Sequence, residues 1–125
     1  MLGSANVHPI LLAKDLGLAR EFYHGKLGLD VLSESDHKIE FRCGGGTKLA
    51  VSKSTIGTAD SQTQIGWEVG DLQTEIDDLR ARGVHIEDYD LPDLKTDEGI
   101  ADVGFAWMAW IIDPGKNALA ILQLK

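Results

Sequence analysis

Apolar positions in this chain recur with two periods, one near 3.6 residues and one of two. Leu16, Ala19, Phe22, Tyr23 and Leu27 fall at three- and four-residue spacing and predict a helix over about 16–26, closed by Gly28. Leu72, Ile76 and Leu79 predict a second helix over about 72–82, with Gly83 as its stop. Asp15 and Asp71 stand immediately before these helices, where a carboxylate can accept from the free amides of the first turn. Short apolar or alternating runs predict strands at 7–12, 31–33, 38–43, 49–52, 64–69, 84–87, 105–112 and 118–122. Gly44-Gly45-Gly46 predicts a hairpin turn, and Asp113-Pro114-Gly115 a tight turn before the last strand.

The two helical segments echo one another. Ala13-Lys14-Asp15-Leu16 and Val69-Gly70-Asp71-Leu72 open them, and the Asp residues lie 56 positions apart in a chain of 125. Each half therefore reads as strand, helix and three strands. The fold class is α+β, with two βαβββ modules at about 5–53 and 64–125 and a Ser- and Thr-rich linker at about 54–63. Neither half can bury a core alone, so the modules form one domain.

Composition narrows the function classes. The longest apolar run, Phe105 to Ile112, is too short for a bilayer, which takes about 20 residues, and Met1 to Ala5 lacks the charged and apolar regions of a signal peptide. A soluble, cytoplasmic protein with no membrane partner is expected. Cys43 is the only cysteine, which excludes an intrachain disulfide and a thiolate metal cluster. The net charge of −8 opposes nucleic acid as a partner. Seven acids against Lys95 alone lie between Glu87 and Asp102. That stretch is either a solvated loop or a negative lip that draws in a cationic ligand.

Asp15-Leu16 with Ala19, Phe22-Tyr23 and Leu27-Gly28, then Val69-Gly70-Asp71-Leu72 closing at Gly83-Val84, then Asp113-Pro114 with Asn117, resemble the glyoxalase, bleomycin-resistance and extradiol-dioxygenase superfamily of vicinal oxygen chelate proteins. The resemblance runs from about Val7 to Leu124. It implies curled mixed sheets around a cleft, helices on the outer face and a homodimer. It also implies a divalent cation held by one side chain from each of four strands, usually His, Glu, His and Glu. Carried over by position, these ligands fall on His8, Ala50, Gln64 and Ala120, so both carboxylates are replaced by methyl groups. Imidazole and amide alone give a divalent cation neither charge compensation nor three ligands, and no metal or other cofactor is expected. A rebuilt metal site that borrows Glu68 or Glu40 is the alternative.

If His8 and Gln64 face the cleft, alternation places Ile10, Leu12, Gly66 and Glu68 beside them, together with Ala50, Ser52, Ala118, Ala120 and Leu122. On 105–112 the preferred phase turns Met108, Trp110 and Ile112 inward and Phe105, Trp107 and Ala109 toward a helix; a one-residue slip would reverse it. Trp110 then reads either as a ligand contact or as core, and His8 as a hydrogen-bonded lining residue or a general base. His24 and His37 read as exposed, His85 as a strand residue, and Cys43 as a small buried one.

Three function classes follow. The first is a metal-free small-molecule-binding protein whose aromatic or cationic organic ligand touches His8, Ile10, Ala50, Gln64, Glu68, Met108, Trp110 and Ala120. The second is a lyase, isomerase or dioxygenase that uses an unorthodox metal site or His8 as base. The third is an interaction module with a vestigial cleft.

Overall fold

The structure, a computed structural model, describes residues 1–57 and 62–125, so part of the expected linker lies outside the described residues. The chain divides into two compact units, Met1–Thr58 and Ala59–Lys125.

The first unit contains β1 (Ile10–Ala13), α1 (Leu16–Arg20), β2 (Val31–Glu34), β3 (Lys38–Arg42) and β4 (Lys48–Lys53). Its sheet order is β1-β4-β3-β2, with β1 parallel to β4 and the other pairs antiparallel. Asp15 caps α1 by accepting from the Leu18 N–H at 3.1 Å. Beyond Arg20 the helix widens into a π turn over Glu21–Lys26, in which the Leu27 N–H reaches the Phe22 carbonyl, five residues back. The wide turn buries both Phe22 and Tyr23, and Tyr23 stacks edge-on against Phe22 and tilted against Phe41 of β3. Leu11, Ile39, Leu49 and Val51 complete this core beneath α1.

The second unit repeats the scheme with β5 (Thr63–Glu68), α2 (Leu72–Ala81), the two-residue strands β6 (Asp90–Leu91), β7 (Leu94–Lys95) and β8 (Ala101–Asp102), then β9 (Ala106–Ile112) and β10 (Ala118–Leu124). The main sheet runs β5-β10-β9-β8, again with its first and last strands parallel, while β6 and β7 form a separate hairpin about Pro92-Asp93. Asp71 caps α2 by accepting from the Thr74 N–H at 3.1 Å, the counterpart of Asp15. At the other end Gly83, at φ 81°, closes the helix: its N–H reaches the Arg80 carbonyl and the Val84 N–H reaches that of Leu79. Leu72, Ile76 and Leu79 are buried over β9 and β10, a contribution of roughly 1.5–3 kcal/mol each. No helix among the described residues is long and apolar enough to cross a membrane.

Three expected elements differ. The first strand begins at Ile10 rather than residue 7, because Pro9 has no N–H to extend the ladder, although its carbonyl still accepts from Ala50. Residues 84–87 are not a strand. Val84 and Ile86 are buried as their alternation requires, but the segment gives β9 a single bond, Glu87 N–H to Trp110 carbonyl, and the ladder partner of β9 is Ala101–Asp102. Phe105 is 67% exposed in the bend before β9 and does not pack on a helix; its carbonyl accepts from the Lys125 N–H.

Candidate functional site

The register of the second sheet separates its two faces. Ala120 pairs with Trp110 and Gly66, Leu122 with Met108 and Glu68, and Ala118 with Ile112, so these side chains share the face opposite α2. Trp107 and Gln123 pair on the α2 side, where the Gln123 side-chain oxygen accepts from the Leu72 N–H at 2.8 Å and Lys125 sits 5.0 Å above the Trp107 ring.

Trp110 organises the face opposite α2. It is buried with Ala101 and Ala120, and Tyr89, Leu94, Val103 and Met108 pack against this cluster. The Tyr89 ring meets the indole edge-on at 5.6 Å and 85°. The acidic stretch expected as a rim therefore sends apolar side chains onto Trp110, and its carboxylates serve other ends. Asp88 accepts from the Thr96 hydroxyl at 3.0 Å and the Gly99 N–H at 2.9 Å, and Asp102 pairs with Lys125 at 2.7 Å. Burial, helped by the charge of Glu87, pushes the Tyr89 phenol up, so it is a neutral donor near pH 7.

Beside Trp110 lies an open hollow of about 670 Å³, lined by Gln62, Thr63, Tyr89, Leu91, Leu94, Trp110, Ile112, Lys116 and Ala118. Gln64 is not among its lining. The pairing shifts by one residue between Ala118 and Leu119, so that Ala118 meets Thr63 while Leu119 meets Ile65, and Gln64 is the extra residue of a bulge. Thr63 takes the inward position instead and accepts from the Trp110 indole N–H at 2.9 Å. Ala120 is buried, Met108 half-buried and Glu68 exposed.

In the first unit Ala50 lies between Ile10 and Glu40 on the sheet face away from α1. Ile10 is 58% exposed, Ala50 is buried, and His8, half-buried, precedes the strand. Glu40 accepts from Lys48 at 2.7 Å and from the Ser33 hydroxyl at 2.8 Å, with Lys38 at 3.9 Å. Bonds to Lys48 and Ser33 hold its carboxyl at about 2. Glu40 thus occupies the face on which a substitute metal ligand would be needed, but it is already neutralised. Among the described residues no three His, Cys, Asp or Glu side chains come together as a metal site. The residues at Ala50 and Ala120 have no donor to offer, so the donor set does not fit a divalent cation. Of the other histidines, His24 bonds the Leu29 carbonyl at 2.8 Å, His37 is exposed, and His85 is exposed, with Glu87 at 3.8 Å. Cys43 is half-buried.

The sequence pattern of the Glyoxalase/Bleomycin resistance protein/Dioxygenase superfamily matches residues 6–118. The chain belongs to this superfamily. No curated protein sequence matches it. Among solved structures it is similar to the glyoxalase family protein from Enterococcus faecalis, with a TM-score of 0.73 at 21% identity over 98% of this chain and 99% of that one. It is similar also to TnmS3, an antibiotic binding protein from a Streptomyces species, with a TM-score of 0.68 at 19% identity over 97% of each chain. A third is the fosfomycin resistance protein FosX from Listeria monocytogenes, at 0.68 and 13% over 98% and 92%. At these identities the likeness establishes the fold.

For this superfamily member, sequence reasoning missed Thr63, Tyr89, Leu94 and Lys116. Thr63 was hidden by the bulge, which has no signature in the residues themselves. A signal for Tyr89 and Leu94 was present, since Leu91-Pro92-Asp93-Leu94 carries turn chemistry between apolar positions, but the surrounding acids masked it.

Proposed function

We propose that this superfamily member is a small-molecule-binding protein whose ligand lies in the hollow floored by Trp110, and that it works without a bound metal. The observation that carries the reading is the build of the hollow: about 670 Å³, an apolar floor of Trp110, Leu94, Ile112 and Ala118, and few polar groups. Small-molecule sites are built this way. The methyl groups at Ala50 and Ala120 and the committed carboxylate of Glu40 support metal independence. Two proteins of the same fold are named for antibiotic binding and fosfomycin resistance, which favours a small organic ligand. The functional unit in this reading is a homodimer, supported by the exposed Ile10 and Leu12 on the edge strand β1.

Titration of the purified protein with a panel of small aromatic compounds, followed by tryptophan fluorescence, tests the reading. Native mass spectrometry before and after addition of zinc, nickel, iron or manganese accompanies it. Trp110→Ala should weaken any compound that binds, since the buried ring is the base on which Tyr89 and Leu94, two other residues of the lining, are packed. One metal ion per chain would overturn metal independence, and a bound compound indifferent to Trp110→Ala would overturn the site.

A further inference from the structure

Among the described residues the polar side chains that line the hollow are Gln62, Thr63, Tyr89 and Lys116, and the one charged group among them is a cation. Lys116 is exposed, and among the described residues it makes no ion pair. Its backbone is fixed: at φ 70° it occupies the left-handed region, its N–H bonds the Asp113 carbonyl at 3.0 Å, and the following Asn117 N–H bonds the Asp113 carboxylate at 2.7 Å. Both Asp113 and Asn117 are buried, so the turn presents Lys116 from a rigid base. The Tyr89 hydroxyl bonds no group among the described residues. The Thr63 hydroxyl already accepts from the Trp110 indole, which leaves its own proton to donate.

Among the described residues no carboxylate lines the hollow, despite the acidity of the unit around it. Asp88 and Asp102 are bonded elsewhere, and Asp113 is turned onto Asn117. Asp90, Asp93, Asp97 and Glu98 are exposed, and water and salt screen such charges within about 8–10 Å. A cationic ligand would meet the Lys116 ammonium group and, among the described residues, no carboxylate; a ligand carrying an anion would find a complement in that group and in the Tyr89 and Thr63 hydroxyl protons.

We propose that the hollow selects molecules with an aromatic or apolar body and a carboxylate or similar anionic group, the body lying against Leu91, Leu94 and Ile112 beside Trp110 and the anion held by Lys116 with the Tyr89 and Thr63 hydroxyls. The proposal rests on the reading of this hollow as the ligand site and names the class of ligand it takes. It reverses the cationic preference that the acidic stretch suggests.

Three probes of one shape and different charge test it on the full chain: 1-naphthoate, its neutral amide and the naphthylmethylammonium ion, titrated at physiological salt with tryptophan fluorescence and calorimetry as readouts. The carboxylate should bind about tenfold more tightly than the amide, and the ammonium least. Lys116→Gln should abolish the preference for the carboxylate over the amide, and Lys116→Arg should keep it. Circular dichroism of each variant reports whether it folds, and continued binding of the amide shows that the hollow is intact. If the ammonium binds as well as the carboxylate, or Lys116→Gln leaves the carboxylate unaffected, the anion assignment is wrong while the ligand site stands. If none of the three binds at millimolar concentration, the ligand-site reading fails and takes this proposal with it.

Discussion

Trp110 donates its indole N–H to the Thr63 hydroxyl at 2.9 Å, across 47 residues of sequence. The bulge at Gln64 makes this bond possible, because without the extra residue the register would turn Thr63 toward α2. The bond ties the edge strand β5 to the middle of the sheet and sets the plane of the ring that floors the hollow.

Breaking that bond should cost about 1 kcal/mol, the usual net value for a hydrogen bond between neutral groups. Thr63→Val and Trp110→Phe each remove it, and a double-mutant cycle by urea unfolding should return a coupling near that value. Zero coupling would mean that the ring is held by Tyr89 and Leu94 packing alone. Trp110→Ala, which also empties the apolar cluster, should cost about 3–5 kcal/mol.

Glu40 should make the first unit acid-sensitive. Its carboxyl sits at about 2, below the ordinary 4.5, so the folded state resists protonation that the unfolded state accepts. The stabilisation is complete above about 4.5 and is lost as pH falls from there toward 2. Urea midpoints measured between those limits should fall less steeply in Glu40→Gln than in the unaltered protein. Parallel slopes would show that Lys48 and Ser33 do not hold the charge.

Gly99 admits no side chain. A Cβ there would stand 2.6 Å from Ile86 Cγ2 and 3.1 Å from Arg80 Nη2, and φ is 89°. Gly99→Ala should cost about 1–3 kcal/mol and loosen the segment that lays Tyr89 on Trp110. A red shift in tryptophan emission together with a lower thermal midpoint is the expected outcome; an unchanged protein would show that Ile86 moves aside freely.

The Asp113 turn is a buried polar unit. Its carboxylate accepts from both the N–H and the side-chain amide of Asn117, at 2.7 and 2.8 Å, with Asn117 fully buried. Asp113→Ala leaves those donors unmatched and should cost about 1–3 kcal/mol in denaturant midpoints, whereas Pro114→Ala, at an exposed position, should cost less than about 1. Equal effects would place the stability of the turn in proline rigidity instead.

Much of the fold was legible because its signals are local. Asp15 and Asp71 each bond an amide three residues on, at 3.1 Å in both, and Gly83 closes its helix with bonds that reach back three and five residues. Such interactions lie within the window that sequence spacing describes, so the helices, the repeat and most strands could be read directly. The phase of β9 was open for a physical reason. Ala109, Trp110 and Ile111 are consecutive and all buried, because here α2 covers one face of β9 and Tyr89 and Leu94 cover the other, and alternation carries no information where neither side meets water.

Sequence alone determined the two capped helices, the paired βαβββ order and the methyl groups at Ala50 and Ala120. Only tertiary structure decided that Thr63 stands where Gln64 was expected, that Tyr89 and Leu94 cover Trp110, that Glu40 is spent on Lys48, and that Lys116 is the charged side chain on the hollow among the described residues. Each of these depends on partners brought together by strand register or hairpin docking. Those partners are distant in the chain, and a single shifted residue changes which face every later side chain meets.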